Sequence, residues 1–374
     1  MTQESSIIVT GDKVPSDKTD TGFEILAKDI KITSLADSPY PLGKKSHSPE
    51  FLLDMSHLRA RTSKYTKIWI VREKLLKYFR EWFEKEGWHE VSPPIIVSSA
   101  CEGGATLFEM KWFEDKKAYL SQSAQLYLEA MIFSLGKVWS LTPSFRAEKS
   151  RTRRHLAEYW HLEWEAAWFT FDDLIKMEDE LISYVIRRLL EDEKCKKIIK
   201  EFRGKDIKIL EACSEPPYEK LSYDEAIDIL QSRGIDIEWG EDLGADEERA
   251  LTLEFEKPIH LHHFPRKIKA FYMKIDRERP DTVLGDDLLL PEGYGEVIGG
   301  GEREDDYETL LRKIEEFGLD PKDYEWYLDL RKYGSVPHSG AGLGIERFLM
   351  WLLKLEHIRD TLPFPRLPRR VTFI

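Results

Sequence analysis

The chain has 374 residues, 41% of them hydrophobic, which is enough for one large globular domain with a small additional segment. Its net charge of −13, from 56 basic and 69 acidic residues, argues against binding of nucleic acid by bulk attraction but does not exclude a local basic site. No apolar run approaches the ~18–20 residues that cross a bilayer, and the N-terminus has no signal-peptide pattern. The three cysteines are far apart, which argues against a disulfide framework. We therefore expect a cytoplasmic protein without membrane association.

The first 45 residues differ in pattern from the rest of the chain. Residues 6–10 and 23–27 predict two short strands, joined by a turn-rich hairpin loop over residues 11–20. Residues 29–33 alternate again and are predicted to continue the second strand. Because two or three strands are too few for an independent barrel, we predict part of a small β domain and a linker.

Two long segments show the period of an amphipathic helix. Apolar residues at i, i+3 and i+4 spacing predict one helix over residues 66–86, ended by Gly87, and another over residues 172–200. Between them, residues 88–97 predict a strand, which a proline pair confines to a sheet edge or an element end.

The second half of the chain contains shorter elements. Residues 222–225 have the form of a capping box that opens a helix to Gln231. Three strands and two helices are predicted, in chain order, at residues 270–275, 288–291, 296–298, 307–317 and 345–353. Since strands and helices are segregated without regular βαβ alternation, the sequence predicts an α+β fold.

A charged hairpin is the first candidate for chemistry. Residues 143–148 read Pro-Ser-Phe-Arg-Ala-Glu, a basic loop follows at 150–155, and a strand returns over 161–165. This pattern predicts Arg146 and Glu148 on one face of the first strand. The arginine could clamp a phosphate and the glutamate could accept from an amino group. The alternative is a solvated hairpin with surface ion pairs.

Two glycine-rich segments are the other candidates. Residues 340–347 predict a glycine turn into an apolar helix with Arg347 in its first turn, although tight helix–sheet packing explains the glycines equally well. Further upstream, Asp287 and Glu296 lie on either side of a predicted turn. They could bind Mg²⁺, with a nucleotide's phosphates completing the coordination shell, or they could be incidental acids in a β-turn.

Three histidines, at positions 260, 262 and 263, lie close together in the sequence. They lack a cysteine pair and the spacing of an HExxH helix, so a zinc site is the less favoured interpretation.

Taken together, the order Phe-Arg-x-Glu, an acid pair and Gly-Leu-Gly-x-Glu-Arg resembles motifs 2 and 3 of the class II aminoacyl-tRNA synthetases. The helix at residues 66–86 and its proline-bearing strand resemble motif 1, the dimerisation element. The resemblance is closest to the aspartyl/asparaginyl subgroup and covers residues 20–374. It implies an antiparallel sheet flanked by helices in residues 46–374, a partial OB-like anticodon-binding segment and linker in residues 1–45, and a homodimer.

The resemblance also implies roles for individual residues. It implies ATP binding by Arg146, Glu148, Arg154, His155, Tyr159, Glu296 and Arg347, with the first and last of these arginines also serving catalysis. It implies amino-acid binding by Glu102, Ser123, Gln125, Leu128, Glu129, Arg303 and His338. Asp287 and Glu296 match Mg²⁺ ligands. No catalytic base is expected, because a carboxylate is already a nucleophile and the enzyme has to position it and neutralise charge.

One position bears on the choice of amino acid. Leu128 stands where the aspartyl branch has a lysine that pairs with the substrate's β-carboxylate. An unpaired buried charge costs several kcal/mol, so we expect asparagine rather than aspartate. Glu129 could accept from the amide nitrogen while Arg303 holds the amide oxygen. The expected activity is AMP-forming, ATP-dependent ligation of asparagine to tRNA.

Two alternatives remain open. Members of the family begin with a five-stranded OB-fold that grips the anticodon, and this chain is predicted to retain only its last strands, which puts anticodon contacts in question. A tRNA-independent paralogue could instead make asparagine from aspartate and ammonia, but that relative keeps the lysine that is Leu128 here. A non-catalytic binding module is disfavoured, because the charged motif residues are all present.

Overall fold

The computed structural model of the protein describes residues 1–19, 21–43, 45–98, 107–148, 152–368 and 370. By their internal contacts the residues divide into two units, Met1–Arg61 and Thr62–Phe373. The division into functional domains after residue 45 stays a prediction.

The first unit contains an antiparallel hairpin of β1 (Ser6–Pro15) and β2 (Phe23–Ser34), followed by the short helices α1 (Pro49–Asp54) and α2 (Ser56–Arg59). The predicted continuation of the second strand is confirmed. The predicted loop is wrong in its first part, because β1 continues to Pro15. At Gly11 a Cβ would lie 2.1 Å from the Leu26 carbonyl oxygen, so glycine lets the two strands stay paired through an irregularity in register.

The second unit is built on a large mixed sheet. Its strands are β3 (His89–Glu90), β4 (Ile96–Val97), β5 (Glu109–Lys111), β6 (Lys117–Leu120), β7 (Lys137–Phe145), β8 (Glu158–Ala167), β9 (Glu219–Ser222), β10 (Ile259–His262), β11 (Gly285–Leu290), β12 (Gly295–Glu302) and β13 (His338–Gly344). Eight of them pair in the order β3-β7-β8-β13-β12-β11-β10-β9. Neighbours are antiparallel except β3 with β7 and β9 with β10. The strands β4, β6 and β5 form a smaller antiparallel sheet. The predicted α+β class with an antiparallel sheet is confirmed.

Helices flank this sheet. They are α3 (Ser63–Lys85), α4 (Gln125–Leu135), α5 (Phe171–Glu191), α6 (Glu193–Arg203), α7 (Ile207–Cys213), α8 (Tyr223–Ser232), α9 (Ala245–Thr252), α10 (Tyr307–Glu316), α11 (Glu325–Lys332) and α12 (Ile345–Leu352). The predicted helices at α3, α8, α10 and α12 are confirmed, and the capping box at Ser222 forms on both sides.

The single helix predicted over residues 172–200 is wrong, because the chain breaks at Asp192. This residue has an extended backbone (φ −73°, ψ 104°), and its carboxylate accepts from the Cys195 amide, so it caps α6. Apolar periodicity continues across the break because both helices bury a face in the same core. A periodic pattern therefore could not reveal the interruption, although an aspartate inside it is a typical N-cap.

The strand predicted over residues 270–275 is also wrong. In that segment only isolated bridges form, Met273 with Arg303 and Ile275 with Val283. Phe271 and Tyr272 are adjacent and both buried in a core with α8, α10 and α11. The apolar pattern reflects this packing rather than strand pairing.

The main core lies between the sheet and the helices α3, α5 and α12, where Val71, Leu181 and Phe348 are completely buried. On β8, Trp164 points into this core, whereas its neighbours Glu163 and Glu165 line a cavity. Alternation along the strand thus separates an apolar face from a charged one.

Candidate active site

The sheet order brings the three predicted motifs together. The strand β8 pairs with β13, which pairs with β12, which pairs with β11, so segments far apart in sequence become neighbours. The glycines of β13 lie in a strand, and the predicted glycine turn is wrong. At Gly340 a Cβ would lie 2.1 Å from the carboxylate carbon of Glu165, and at Gly342 a Cβ would lie 2.5 Å from His161 Nε2. Glycine there makes room for polar side chains of the neighbouring strand.

The hairpin prediction needs one correction. The strand β7 ends at Phe145, so Arg146 and Glu148 do not lie on it as predicted. The Arg146 amide still donates to the Ala157 carbonyl oxygen at 3.0 Å, and the chain then enters the loop. Glu148 is half-buried and is not among the residues that line the cavities described below.

The first cavity is lined mainly by charged and aromatic side chains. Among them are the predicted residues Arg146, Arg154, His155, Tyr159, Glu296 and Arg347. The guanidinium carbon of Arg146 lies 5.6 Å from the centre of the Tyr159 ring. Burial, together with the charges of Arg347, Arg146 and Arg154, lowers the pKa of His155 to about 4. The cavity therefore combines three permanent positive charges with a neutral imidazole at pH 7, which suits a polyanion.

Two carboxylates meet where the first cavity adjoins a second one, which Asp287 and Glu296 both line. Asp287 Oδ2 lies 2.5 Å from Lys269 Nζ, and Glu296 Oε2 lies 2.8 Å from Arg347 Nη1. A Cβ at Gly299 would be 3.1 Å from Glu296 Oε1 and 3.5 Å from Asp287 Oδ1, so both acids converge on one glycine. Carboxylate oxygens are the ligands that Mg²⁺ prefers, so two carboxylates directed toward the same place could bind a magnesium ion.

The two acids differ in electrostatics. Burial, the charge of Glu296 and a neighbouring aspartate raise the pKa of Asp287 to about 7, against the charge of Lys269. Burial also opposes ionisation of Glu296, but the charges of Arg347 and Lys269 lower its pKa to about 2. Glu296 is thus a fixed anion at neutral pH.

A second, larger cavity adjoins the first, and Arg146, His161, Glu296 and Gly342 line both. Its lining includes the predicted residues Ser123, Gln125, Arg303 and Asp287. Sequence reasoning missed three of its charged residues, Glu163, Glu165 and Lys269. For the two glutamates, the alternation of acids with Leu162 and Trp164 on β8 was an available signal.

Arg303 and Glu165 form a buried ion pair in this cavity. The guanidinium donates to the Glu165 carboxylate from Nη2 at 2.5 Å and from Nε at 3.0 Å, and both side chains are at most 2% exposed. Burial opposes the charge on Arg303, yet Glu165 raises its pKa further above its ordinary value. The pair places a hydrogen-bond donor, the Arg303 guanidinium, next to an acceptor, the Glu165 carboxylate.

Ser123 and Glu163 form a second polar pair. The Ser123 hydroxyl donates to Glu163, which also accepts from the Ala124 amide at 2.9 Å. Burial raises the pKa of Glu163 to about 7, although these hydrogen bonds favour its charged form.

Leu128, Glu129 and His338 are not among the residues that line either cavity. Leu128 is completely buried in an apolar cluster with Ala124 and Ile132. Glu129 is also completely buried and accepts from Arg331 Nη2 at 2.7 Å. A direct contact of these three residues with an amino acid in the second cavity stays a prediction, and Glu102 lies outside the described residues.

Glu129 has further partners around it. Its carboxylate accepts from the Tyr327 hydroxyl at 2.7 Å and lies 3.0 Å from His338 Nε2. Burial opposes its charge, but Arg331 and His338 hold the pKa of Glu129 well below its usual value. Sequence analysis did not identify Arg331 and Tyr327, because nothing in the pattern of α11 connects it with α4.

The three neighbouring histidines do not form one site. His260 is completely buried, and its Nδ1 and Nε2 lie 2.7 Å from Asp286 and 3.1 Å from Asp179. Glu178 joins this group, in which one ligand atom from each of Glu178, His260 and Asp286 lies within 4.8 Å of the others. His262 and His263 contact each other instead, with their Nδ1 atoms 2.5 Å apart.

Within the described part of the chain, no helix is both long and apolar enough to cross a membrane.

Comparison with known proteins accords with this geometry. The family model of class II tRNA synthetases (D, K and N) matches residues 48–368. The asparagine–tRNA ligase of Pyrococcus furiosus is 58% identical over 370 residues, which are 99% of this chain and 84% of that protein.

Solved structures give the same result. Asparaginyl-tRNA synthetase from Pyrococcus horikoshii, complexed with asparaginyl-adenylate, superimposes with a TM-score of 0.94 at 57% identity, covering 98% of this chain and 84% of that one. The Entamoeba histolytica asparaginyl-tRNA synthetase with asparaginyl-adenylate gives a TM-score of 0.90 at 34% identity, covering 99% and 84%. The chain belongs to the class II tRNA synthetases of the D, K and N family.

Proposed function

We propose that the chain is an asparagine–tRNA ligase, which uses ATP to activate asparagine and transfers the asparaginyl group to tRNA(Asn). The observation that carries this proposal is the pair of adjoining cavities, one cationic and one containing the Arg303–Glu165 pair. Relatives with the same overall structure are named for this activity and were solved with its adenylate.

The second cavity would take the amino acid. An amide oxygen can accept from Arg303, and the amide nitrogen can donate to Glu165, so a neutral side chain satisfies both members of the buried pair. Aspartate would instead place a second carboxylate beside Glu165 in a buried site, where like charges repel strongly. This contrast supports asparagine as the substrate.

The first cavity would take ATP. The asparagine carboxylate oxygen attacks the α-phosphorus and forms a new P–O bond, while the bond to the bridging oxygen of the β-phosphate breaks and pyrophosphate leaves. Arg146 lines both cavities and would therefore neutralise charge where the two substrates meet. Arg347, at the start of α12, would hold the nucleotide from the β13 side.

Asp287 and Glu296 would hold Mg²⁺, because their carboxylates converge beside Gly299. The ion would supply positive charge that offsets the charge of the phosphates. Lys269 and Arg347, which pair with these acids, would then be released toward anionic groups of the substrate.

The homodimer and the cytoplasmic location belong to the same proposal. Trp69 on α3, Ile95 directly before β4 and Ile96 in β4 are each more than a third exposed, which supports an interface at the motif 1 region. Sedimentation equilibrium of the purified protein tests the dimer.

The described cysteines, Cys195 and Cys213, are free and buried, which accords with a reducing compartment.

ATP–pyrophosphate exchange with asparagine and aspartate, compared side by side, tests the activation step. We expect exchange with asparagine, and exchange driven only by aspartate would overturn the substrate assignment. A charging assay with tRNA(Asn) then tests the transfer step. Activation without charging would indicate a tRNA-independent enzyme, and no exchange with any amino acid would indicate a binding protein.

A further inference from the structure

Arg154 is held by a carboxylate from a distant helix. Its Nη1 donates to Glu248 Oε2 at 2.8 Å and to the Tyr294 carbonyl oxygen at 2.6 Å. The two side chains are only 14% and 12% exposed. Both contacts use the same nitrogen, and within the described residues no other hydrogen bond of this guanidinium is observed. The N–H groups on Nε and Nη2 are therefore available to an anion in the first cavity, which Arg154 lines.

Glu248 connects three segments of the site. It lies on α9, accepts from Arg154 in the basic loop, and accepts from the Glu296 amide at 2.8 Å at the start of β12. A carboxylate that is bonded to both the loop and the strand fixes their separation. Glu296, whose amide donates to Glu248, is itself one of the two acids that converge beside Gly299.

The backbone at Gly295 lies too close to this ion pair for a side chain to fit there. A Cβ on Gly295 would lie 2.2 Å from Arg154 Nη1 and 2.2 Å from Glu248 Oε2. Gly295 also has a φ of +72°, which disfavours other residues. The ion pair therefore sits directly over a backbone position that only glycine fits.

We propose that Glu248 is a positioning residue for ATP activation, which holds Arg154 by one nitrogen so that its remaining N–H groups meet the outer phosphates. The inference rests on the proposed function and adds a residue of α9 to it. Arginine suits this arrangement because its rigid, planar group can bond a carboxylate on one side and a phosphate on the other. Fixing the group before the nucleotide arrives reduces the ordering that binding requires.

A competing role for Glu248 makes the opposite prediction. If the carboxylate competed with phosphate for Arg154, its removal would tighten ATP binding. If it positions Arg154, its removal weakens ATP binding. The direction of the change in KM for ATP therefore decides between the two roles.

The test compares Glu248→Gln with Asp246→Asn, which removes one charge from an exposed residue in the first turn of the same helix. In asparagine-dependent ATP–pyrophosphate exchange, we expect Glu248→Gln to raise KM for ATP about tenfold while kcat changes less than about twofold. Asp246→Asn should leave both unchanged. A KM that is unchanged or lowered overturns the proposal.

A second ligand separates positioning from general damage. A non-hydrolysable sulfamoyl analogue of asparaginyl-adenylate lacks the outer phosphates, so Glu248→Gln should bind it as tightly as the unaltered chain, by calorimetry. An equal loss of analogue and ATP binding would overturn the proposal. Arg154→Lys keeps the positive charge at this position and leaves Glu248 in place, but it lacks the additional N–H groups of the guanidinium. We therefore expect Arg154→Lys to raise KM for ATP as well. An unchanged KM for this variant would count against the proposal even if Glu248→Gln failed to fold. If the unaltered chain shows no asparagine-dependent exchange, the proposed function fails instead.

Discussion

Arg72 and Glu346 form an ion pair inside the main core, with Arg72 Nη2 at 2.8 Å from Glu346 Oε1 and both side chains at most 2% exposed. Glu346 also accepts from the Trp160 amide at 2.9 Å. The pair therefore links α3, β8 and α12, the three elements that carry motifs 1, 2 and 3. Glu346 directly precedes Arg347, whose own guanidinium pairs with Glu296 in the first cavity.

Breaking this pair should destabilise the fold. Arg72→Met leaves the Glu346 carboxylate buried without its cation, and we expect a loss of about 3–5 kcal/mol in the free energy of unfolding. The double variant Arg72→Met with Glu346→Leu should lose less than the sum of the two single variants. Urea unfolding measures all four proteins. A single-variant loss below about 1 kcal/mol would contradict a structural role for the pair.

The Arg303–Glu165 pair predicts a specific change in substrate use. Arg303→Gln should lower kcat/KM for asparagine in the exchange reaction by about 2–3 kcal/mol, roughly a hundredfold, because Glu165 loses its partner and the amide oxygen loses its donor. Arg279→Gln breaks an exposed pair with Asp224 and serves as the control. If Arg303→Gln and Arg279→Gln had equal kcat/KM for asparagine, Arg303 would not be a residue of the amino-acid site.

The converging acids predict a change in metal dependence. Asp287→Asn should raise the Mg²⁺ concentration at half-maximal exchange by about tenfold or more, since an amide is a weaker ligand than a carboxylate. Asp281→Asn, at an exposed position, is the matched control. Titrations of Mg²⁺ at saturating ATP and asparagine give the comparison, and superimposable curves for the two variants would argue against Asp287 as a ligand.

The buried histidine predicts a pH dependence of stability. Burial opposes its charge, but Asp286, Asp179 and Glu178 raise the pKa of His260 from 6.5 to about 10. Because the folded-state pKa is raised, the stability contributed by the charged ring is fully present below pH 6.5 and is lost as the pH rises through about 10. The difference in unfolding free energy between the unaltered chain and His260→Gln should shrink across this range. Exposed His89→Gln should show no such trend, and a constant difference for His260→Gln would refute the raised pKa.

Local sequence patterns predicted a helix or strand well where that element buries a single apolar face in the core. The apolar stripe of α3, the capping box at Ser222 and the alternation of β8 all act between residues that are near in sequence. The same logic failed at Asp192, because two helices share one core and keep one period across the break. It failed at residues 270–275 because consecutive buried residues there pack without strand partners.

By itself, the sequence determined the fold class, the family resemblance and the charged residues of its motifs, since these depend on residue type and short-range spacing. The tertiary structure decided which charges meet: Glu165 with Arg303, Glu248 with Arg154, and Arg331 with Glu129. Those partners lie 94 to 202 residues apart along the chain. Only the strand order of the large sheet and the packing of α9 and α11 bring them within hydrogen-bonding distance, and no local periodicity encodes that order.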